Sequence, residues 1–324
     1  MRAQLHERAF TLAPASEDAS FRRYFRATLA DGRSYIAMDA PPEREPCAAF
    51  VRVAALLRAA GVNAPEVHAQ DLGQGFLLLT DLGARTYLEA LANADRARAN
   101  ALIGDATQAL LRWQSATRPG VLPPYDATLL RQEMALFPQW FLGRHLGIEL
   151  AAEQAAALER VFALLIASAA AQPQVFVHRD YMPRNLMLSE PNPGVLDFQD
   201  AVTGPITYDV VSLLRDAFIS WEEEQVLDWC VRYWERARAA GLPVGTDFPE
   251  FFRAFEWMGL QRHLKVLGIF ARLTHRDGKP KYVADTPRFL RYARAVAERY
   301  APLASLARLL QPLDGQSPRQ LRAS

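Results

Sequence analysis

The sequence predicts an α+β fold in two parts, a small N-terminal part built on strands and a larger part that is mainly helical. Three observations lead to this prediction. Strand-like runs and turn dipeptides dominate before Gly83, and helical periodicity dominates after it. A short strand-rich segment, residues 174–198, interrupts the helices. The change of pattern near residues 81–84 predicts a first domain over residues 1–82 and a second over residues 83–324.

In the N-terminal part, residues 20–40 are expected to form a hairpin. The strand-like runs YFRATL and SYIAM are joined by Asp31 and Gly32, which form a common turn dipeptide. Residues 47–61, CAAFVRVAALLRAAG, carry apolar residues at helical spacing and end at a glycine, which predicts a helix. Residues 67–83 are typical of two strands around a turn that contains glycine.

The remainder of the chain has mostly helical periodicity. It predicts helices over residues 86–115, 126–146, 151–171, 208–219, 222–240, 248–273 and 286–310. Residues 174–198 differ, because the runs QVFV, LMLS and GVLDF are strand-like. The last two runs are joined by EPNPG, so they are expected to form a small hairpin inside the helical part.

Length and composition restrict the function classes. The chain has 324 residues, of which 50% are hydrophobic and 23% charged, as is ordinary for a globular protein. Its formal net charge of +1 gives no electrostatic reason to expect a nucleic-acid or membrane partner. The apolar run VFALLIASAAA is too short to span a bilayer, and the N-terminus lacks the apolar stretch of a secretory signal. Cys47 and Cys230 form no disulfide framework or metal-ligand pattern, so a cytoplasmic protein is expected.

The segment VFVHRDYMPRNLML, followed by GVLDFQDA, carries the most informative polar residues. Asp180 and Asn185 lie five positions apart in a predicted loop, so both side chains can point into one space. If GVLD pairs with NLML, the hairpin also brings Asp197 close to Asn185. Two oxygen ligands at that point suit Mg²⁺, and the remaining carboxylate, Asp180, can accept a proton from an attacking hydroxyl. The alternative is that these are polar residues at strand ends, where turns need them.

The pattern H-x-D-x-x-x-x-N followed by D-F resembles the catalytic signature of protein kinases and their small-molecule relatives. HRDYMPRNLM, VLDFQDA and GPITYDV are similar to the aminoglycoside phosphotransferase and choline kinase family, and the resemblance covers most of the chain. It implies a bilobal, protein-kinase-like fold, with a nucleotide-binding N-terminal lobe and a helical catalytic lobe, that uses ATP and Mg²⁺. It also implies that Asp180 is the catalytic base, that Asn185 and Asp197 hold the metal, and that His178 braces the loop.

Two further aspartates near this segment have two interpretations each. Asp209 begins an apolar helix and can be its N-cap, and the resemblance to related kinases implies that it also anchors the backbone of the catalytic loop; both roles can hold together. We expect a supporting role for it. Asp200 either reaches a second metal ion or the substrate, or shapes the turn that follows Asp197.

The nucleotide end departs from the family pattern. SEDASFRRYF, residues 16–25, lies where kinases usually have a glycine-rich loop, and it contains no glycine. Its small residues, including Ser16 and Ser20, would let backbone N–H groups approach a phosphate. Arg22 and Arg23 are candidates to add positive charge there, with a solvated basic edge as the alternative for each.

Two other segments complete the expected nucleotide site. By resemblance, Met38 in SYIAMDA occupies the position of the phosphate-binding lysine, which leaves the lysine–glutamate ion pair of kinases unassigned. Met38 itself is expected in the core or in the wall of the adenine pocket. The segment GFLLLTDLG ends the small lobe, and the resemblance implies that main-chain groups of Thr80, Asp81 and Leu82 bind the adenine edge.

Residues 253–273, RAFEWMGLQRHLKVLGIFARL, supply the candidates for binding the phosphate acceptor. Arg262 and Lys265 are three positions apart and therefore neighbours on a helix, and Trp257 lies about one turn earlier. The segment is either an amphipathic helix with a solvated basic face, or a wall that holds a sugar by stacking and an acid by charge. Choline kinases need aromatic and acidic surroundings for a quaternary ammonium, so the RHLK stretch argues against choline.

FRRYFR, MDAPPE and QRHLKVLGIFARLTHRDGK are also similar to a group of sugar kinases of bacterial cell-wall recycling. This similarity implies ATP-dependent phosphorylation of the anomeric C1 hydroxyl of N-acetylmuramate and N-acetylglucosamine, which feeds UDP-sugar synthesis for peptidoglycan. One alternative is a kinase for an aminoglycoside or a similar amine, which would need an acidic acceptor cleft. Another is an ATP-binding module without catalysis, suggested by the missing lysine and glycines.

Overall fold

The structure is a computed structural model, and it describes residues 9–16 and 21–313 of the chain. The strands are β1 (Phe10–Ser16), β2 (Arg23–Leu29), β3 (Ser34–Asp39), β4 (Val67–Asp71), β5 (Phe76–Thr80), β6 (Gln174–Val177), β7 (Leu186–Met187), β8 (Gly194–Val195) and β9 (Val202–Pro205). The α-helices are α1 (Ala48–Ala59), α2 (Tyr87–Leu91), α3 (Arg96–Ser115), α4 (Ala127–Met134), α5 (Ala152–Ala171), α6 (Tyr208–Leu214), α7 (Glu223–Ala239), α8 (Phe248–His275), α9 (Thr286–Arg299) and α10 (Ala304–Leu310).

The chain divides into two compact units. Unit 1 consists of Met1–Arg118 and His178–Ala201, and unit 2 consists of Pro119–Val177 and Val202–Ser324. Unit 1 therefore contains the predicted catalytic segment as well as the N-terminal strands. The domain boundary expected at residue 82 marks a change of sequence pattern, and it stays a prediction.

Unit 1 is built on a five-stranded antiparallel sheet in the order β1-β2-β3-β5-β4. The predicted hairpin of β2 and β3 is present, with Thr28 opposite Ser34 beside the turn. Gly32 in that turn has a φ of +86°, which glycine adopts without steric cost, and its N–H donates to the carbonyl of Leu29 at 3.1 Å. The local turn chemistry thus sets this register.

The helices of unit 1 follow from spacing and capping. α1 buries one stripe at helical spacing, formed by Phe50, Val53, Ala54 and Leu57. The single helix predicted over residues 86–115 is divided into α2 and α3. Thr86 and Glu89 form a capping box for α2, and Asp95 accepts the N–H of Arg98 at 2.7 Å to begin α3. A new N-cap in the middle of the predicted helix is the physical reason for the division.

A small hairpin of β7 and β8 completes unit 1. Leu186 pairs with Val195 and Met187 pairs with Gly194, so the predicted pairing is confirmed. Gly194 also forms a bridge with Asn63, and a Cβ atom at this glycine would lie 2.8 Å from Ser189 Oγ. The hairpin is therefore fixed against the rest of unit 1 at a point where the backbone approaches closely.

Unit 2 packs its helices around α8. The helix predicted over residues 126–146 consists of α4 followed by a π-helix, Phe137–Leu146, which contacts α8. At that contact a Cβ atom on Gly268 would lie 2.4 Å from Leu136, so glycine permits the close approach. β6 and β9 form a separate antiparallel pair in unit 2.

Among the described residues, one helix is long and apolar enough by length and composition to cross a membrane. This helix is α5, with a mean hydropathy of 1.4 over its most apolar window. Its residues Leu158, Val161, Phe162 and Leu165 belong to the same buried core as Leu260 and Leu264 of α8. That one-sided burial is the pattern of a core helix.

Candidate active site

Unit 1 contains a cavity of ≈ 240 Å³ between the sheet and the hairpin segment. Its apolar wall includes Ile36, Phe50, Leu79, Met187 and Leu196. Thr80, Asp81 and Leu82 line it at the connector that follows β5, and Asn185 and Asp197 line it on the hairpin side. One cavity therefore joins the predicted adenine-binding connector and the predicted metal ligands.

His178 is buried and holds the start of the predicted catalytic segment. Its Nδ1 accepts the backbone N–H of Asp180 at 3.3 Å, and the rings of Tyr181 and Phe198 meet it edge-on. Burial lowers the pKa of His178 to about 4, although the nearby Asp180 carboxylate opposes this shift. The imidazole is therefore neutral at pH 7 and keeps a lone pair for the Asp180 N–H. This is the position predicted for a brace.

The structure brings Asn185 and Asp197 together. Asn185 Nδ2 lies 3.3 Å from Asp197 Oδ2 and 2.9 Å from the backbone carbonyl of Asp180. Both N–H groups of the amide are thereby engaged, which leaves its Oδ1 as the atom suited to a cation. The Leu196 N–H donates to the Asn185 carbonyl at 2.9 Å, so the hairpin itself maintains this approach.

The backbone of the same segment is unusual at two positions. Arg179 has a φ of +75° and Asp197 a φ of +62°, in the left-handed region that non-glycine residues seldom adopt. Asp197 Oδ1 also accepts from Gln199 Nε2 at 2.8 Å. Such conformations persist only where the surroundings impose them, and they are concentrated at functional sites.

The donor set at this point fits magnesium. The described residues contain no group of three or more His, Cys, Asp or Glu side chains arranged to hold a metal ion. One carboxylate and one amide oxygen are, however, sufficient for Mg²⁺, because this ion keeps several waters and takes phosphate oxygens as further ligands. Asn185 and Asp197 match that requirement, with Asp180 half-buried beside them.

Asp200 and Asp209 differ in environment. Asp200 is exposed in unit 1, and its carbonyl lies 3.5 Å from Arg179 Nη1, which agrees with a turn position. Asp209 is fully buried in the first turn of α6 in unit 2. Thr207 is the N-cap residue of that helix, so the N-cap alternative for Asp209 is wrong.

The four candidates of the predicted nucleotide loop, Ser16, Ser20, Arg22 and Arg23, differ in what the structure describes of them. Ser20 lies outside the described residues, and of Ser16 only the backbone, at the end of β1, is described. The Arg23 side chain is 68% exposed and pairs with Asp39, so it lies on the sheet surface. The Arg22 side chain is buried and lies 2.6 Å from Glu45 Oε2.

Met38 is buried, as expected, with 1% of its surface exposed. It lies opposite Tyr24 of β2 and Leu77 of β5 in the sheet register. The β3 position that the resemblance gives to a lysine thus contributes packing and no charge.

Arg26 is a pocket residue that the sequence analysis missed. Its Nε lies 2.5 Å and its Nη2 3.0 Å from the Asp81 carboxylate, and Nη2 donates to the Gly83 carbonyl at 2.8 Å. Burial raises the pKa of Asp81, but hydrogen bonds from Arg26, Ser34 and the Gly83 N–H outweigh burial and lower it overall. The Asp81 carboxylate therefore shapes the connector. Tyr24 and Arg26 both line the cavity, so period-2 alternation along β2 is the signal that could have indicated Arg26.

In unit 2, Arg262 and Lys265 of α8 are largely withdrawn from solvent, so the alternative of a solvated basic face is wrong for these two residues. Arg262 is 7% exposed, and its guanidinium lies 4.6 Å from the centre of the Tyr208 ring. Lys265 Nζ lies 2.9 Å from Glu133 Oε1 and 3.1 Å from the Tyr208 hydroxyl. Trp257 is half-buried and meets the ring of Tyr300 edge-on.

Glu133 is the second residue that the sequence analysis missed. Besides Lys265, it accepts a short hydrogen bond from the Tyr125 hydroxyl and lies 3.5 Å from Gln261 Nε2. Burial, together with Tyr208 and Glu133, raises the pKa of Tyr125, so the phenol remains a donor. We call Tyr125, Glu133, Gln261 and Lys265 the Glu133 cluster. The cluster joins Tyr125 and Glu133 to Gln261 and Lys265, and Glu133 and Gln261 are 128 positions apart, so no local sequence motif indicates it.

Comparison of the sequence with known proteins shows the family of this chain. The model of the phosphotransferase enzyme family matches residues 11–242. The chain belongs to the phosphotransferase enzyme family. It is 56% identical over 304 residues to the N-acetylmuramate/N-acetylglucosamine kinase of Pseudomonas aeruginosa, covering 93% of this chain and 88% of that protein. It is 53% identical over 310 residues to the kinase of the same name from Neisseria meningitidis, covering 95% of this chain and 92% of that protein.

Solved structures show the same fold for this phosphotransferase. A choline/ethanolamine kinase family protein from Mesorhizobium loti matches with a TM-score of 0.63 and 15% identity, covering 92% of each chain. The ADP-bound aminoglycoside phosphotransferase APH(2'')-Ib matches with a TM-score of 0.56 and 15% identity, covering 90% of this chain and 95% of that one. The predicted kinase-like α+β fold and the predicted family are confirmed.

Proposed function

We propose that this phosphotransferase is an ATP- and Mg²⁺-dependent sugar kinase that phosphorylates the anomeric C1 hydroxyl of N-acetylmuramate and N-acetylglucosamine. The observation that carries the reaction type is the approach of Asn185 to Asp197, 3.3 Å, with the backbone of Asp180 bound to the same amide. The choice of sugars rests on the relatives that share more than half of this sequence and are named kinases of these two sugars.

The roles of the three residues follow from their chemistry. Asn185 and Asp197 would hold Mg²⁺, which supplies positive charge to the phosphate oxygens of the nucleotide. Asp180 accepts the proton of the C1 hydroxyl as that oxygen forms a bond to the γ-phosphorus and the bond to the ADP oxygen breaks. An anomeric hydroxyl is more acidic than an ordinary alcohol. The reaction therefore needs a weaker base, and its rate depends more on how the C1 hydroxyl and the γ-phosphate are positioned.

The nucleotide is held, in this proposal, along the cavity of unit 1. Main-chain groups of Thr80, Asp81 and Leu82 bind the adenine edge, and the Arg26–Asp81 pair keeps that connector in shape. Ser16 and Ser20 stay candidates for backbone contact with phosphate. Arg22 and Arg23 stay candidates for charge, with Arg22 paired to Glu45 and Arg23 paired to Asp39.

The acceptor is assigned to residues by charge and shape. Arg262 is our first candidate for the lactyl carboxylate that distinguishes N-acetylmuramate, because a guanidinium matches a carboxylate geometrically. Trp257 offers a ring for stacking on a sugar, and Lys265 and Asp200 stay further candidates. His178 and Asp209 take supporting roles.

The cellular setting is also a proposal. Two free cysteines, both buried, favour a reducing compartment, and we place the enzyme in the cytoplasm. There it would act on small sugars released during peptidoglycan recycling, a role consistent with the names of its relatives.

An ATP-consumption assay with a panel of acceptors tests the proposal. The panel contains N-acetylmuramate, N-acetylglucosamine, an aminoglycoside, choline and a blank without acceptor. We expect turnover with the two amino sugars and none above the blank with the others. Turnover with the aminoglycoside alone would support the rival kinase, and no turnover with any acceptor would support a non-catalytic module.

A further inference from the structure

Arg184 lies on the wall of the unit 1 cavity, directly before the proposed metal ligand Asn185. The two residues share a 3₁₀ turn, Pro183–Asn185, in which the Asn185 N–H donates to the Met182 carbonyl at 2.8 Å. Pro183 is buried and begins the turn, so the backbone that carries Arg184 is held in place. Arg184 itself is half-buried and is one of the residues that line the cavity.

Other arginines of unit 1 are placed differently. Among the described residues that line the cavity, the second arginine is Arg26, which binds Asp81 at the connector. Arg22 and Arg23 are absent from that described lining, and they contact Glu45 and Asp39 respectively. Among the described residues that line the cavity, Arg184 is thus the arginine on the side of Asn185 and Asp197.

Negative charge accumulates at that side when a nucleotide binds. Asp197 and Asp180 are both carboxylates there, and a nucleoside triphosphate adds several more charges. A guanidinium offers paired N–H donors that match phosphate oxygens, and it stays protonated under all physiological conditions. Met38 contributes no charge from β3.

We propose that Arg184 contacts the phosphate groups of the bound nucleotide and supplies charge that β3 lacks in this chain. The proposal rests on one part of the proposed function, namely that the cavity binds a nucleoside triphosphate. In this proposal Arg184 contacts the phosphate groups, and it contacts neither the adenine nor the acceptor.

Direct binding without any sugar tests this assignment. Calorimetric titrations compare wild type with Arg184→Ala and Arg184→Lys. Each protein is titrated with Mg·ATP, with inorganic tripolyphosphate in magnesium, and with adenosine. Arg96→Ala is the matched control, because Arg96 is an exposed arginine on α3 of the same unit. Thermal unfolding of each variant accompanies the titrations.

Arg184→Ala should bind Mg·ATP and tripolyphosphate about 10- to 100-fold more weakly, because a charge-assisted hydrogen bond is lost. It should bind adenosine within about twofold of wild type, and Arg184→Lys should recover part of the loss since it keeps the charge. Arg96→Ala should match wild type with all three ligands.

Three outcomes overturn the proposal. Equal weakening of all three ligands would mean that Arg184 shapes the cavity without touching phosphate. Unchanged Mg·ATP and tripolyphosphate binding, in a wild-type protein that binds both, would refute the Arg184 contact and leave the kinase proposal standing. A wild-type protein that binds no Mg·ATP would refute the kinase proposal together with this one.

Discussion

The ion pair between Glu133 and Lys265 gives a prediction whose size follows from its burial. The two side chains are 9% and 11% exposed, and their charged atoms lie 2.9 Å apart. At an effective dielectric constant of about 20, their attraction is about 6 kcal/mol, and the cost of removing both from water offsets much of it. Removal of one partner from such a pair typically costs about 3–5 kcal/mol, because the other charge stays buried.

A double-mutant cycle measures this coupling. Glu133→Gln keeps the shape and an acceptor for Tyr125 but removes the charge that faces Lys265, and Lys265→Met keeps the length of the stem. Each single variant should lose about 3 kcal/mol of unfolding free energy. The double variant should lose about 2 kcal/mol less than the sum, because neither charge remains.

The assay is urea unfolding monitored by tryptophan fluorescence. Five of the six tryptophans belong to unit 2, which contains the ion pair, so the signal reports on the unfolding of that unit. A control cycle uses Arg131 and Glu159, an exposed pair in the same unit with side chains 54% and 49% exposed. That pair should couple by no more than about 1 kcal/mol. Additive losses at Glu133 and Lys265 would refute the reasoning, because they would show that the buried charges do not depend on each other.

Three further predictions concern the site and its surroundings. Asp197→Ala should abolish turnover and weaken nucleotide binding in magnesium but not in a chelator, and unchanged affinity in magnesium would show that Asp197 is not a ligand. Arg262→Ala should lower kcat/KM for N-acetylmuramate about 10- to 100-fold relative to N-acetylglucosamine, and an unchanged ratio of the two constants would remove Arg262 from the acceptor site. Burial lowers the pKa of His178 to about 4, below its ordinary 6.5. The unfolded chain therefore takes up that proton first, and the stabilisation present above pH 6.5 is lost as pH falls through 4. Between pH 7 and pH 4, wild type should lose about 3 kcal/mol more unfolding free energy than His178→Gln, and parallel pH profiles would contradict this assignment.

Local signals were sufficient for much of the fold. The Asp31–Gly32 turn fixed the first hairpin, and the pairing of Leu186 with Val195 followed from two short runs on either side of a proline-containing turn. The division at Asp95 has a local signal, because an aspartate directly before a helical run is a common N-cap. Helical periodicity alone does not show such a break, and the prediction joined the two helices for that reason.

Contacts between distant parts of the sequence could not be predicted in this way. Arg26 and Asp81 are 55 positions apart, and Tyr125 and Gln261 are 136 apart. Their pairing depends on strand order and helix packing, which single-segment patterns do not contain. The same limit explains why the sequence alone left a solvated basic face on α8 open as an alternative. Arg262 and Lys265 are buried because Tyr208 and Glu133, from two other helices, meet them there.

In the proposed reaction, Asp180 accepts the proton of the C1 hydroxyl while the phosphoryl group passes from ATP to the C1 oxygen of an amino sugar. The most direct measurement is ³¹P–¹H correlation NMR of the product formed from Mg·ATP and N-acetylglucosamine, by wild type and by Asp180→Asn. We predict a phosphorus signal coupled to the anomeric proton with wild type. With Asp180→Asn, the rate should be lower by a factor of about 100 or more, while Mg·ATP still binds. A product phosphorylated at another hydroxyl, or an Asp180→Asn variant that turns over within a few-fold of wild type, would contradict the account.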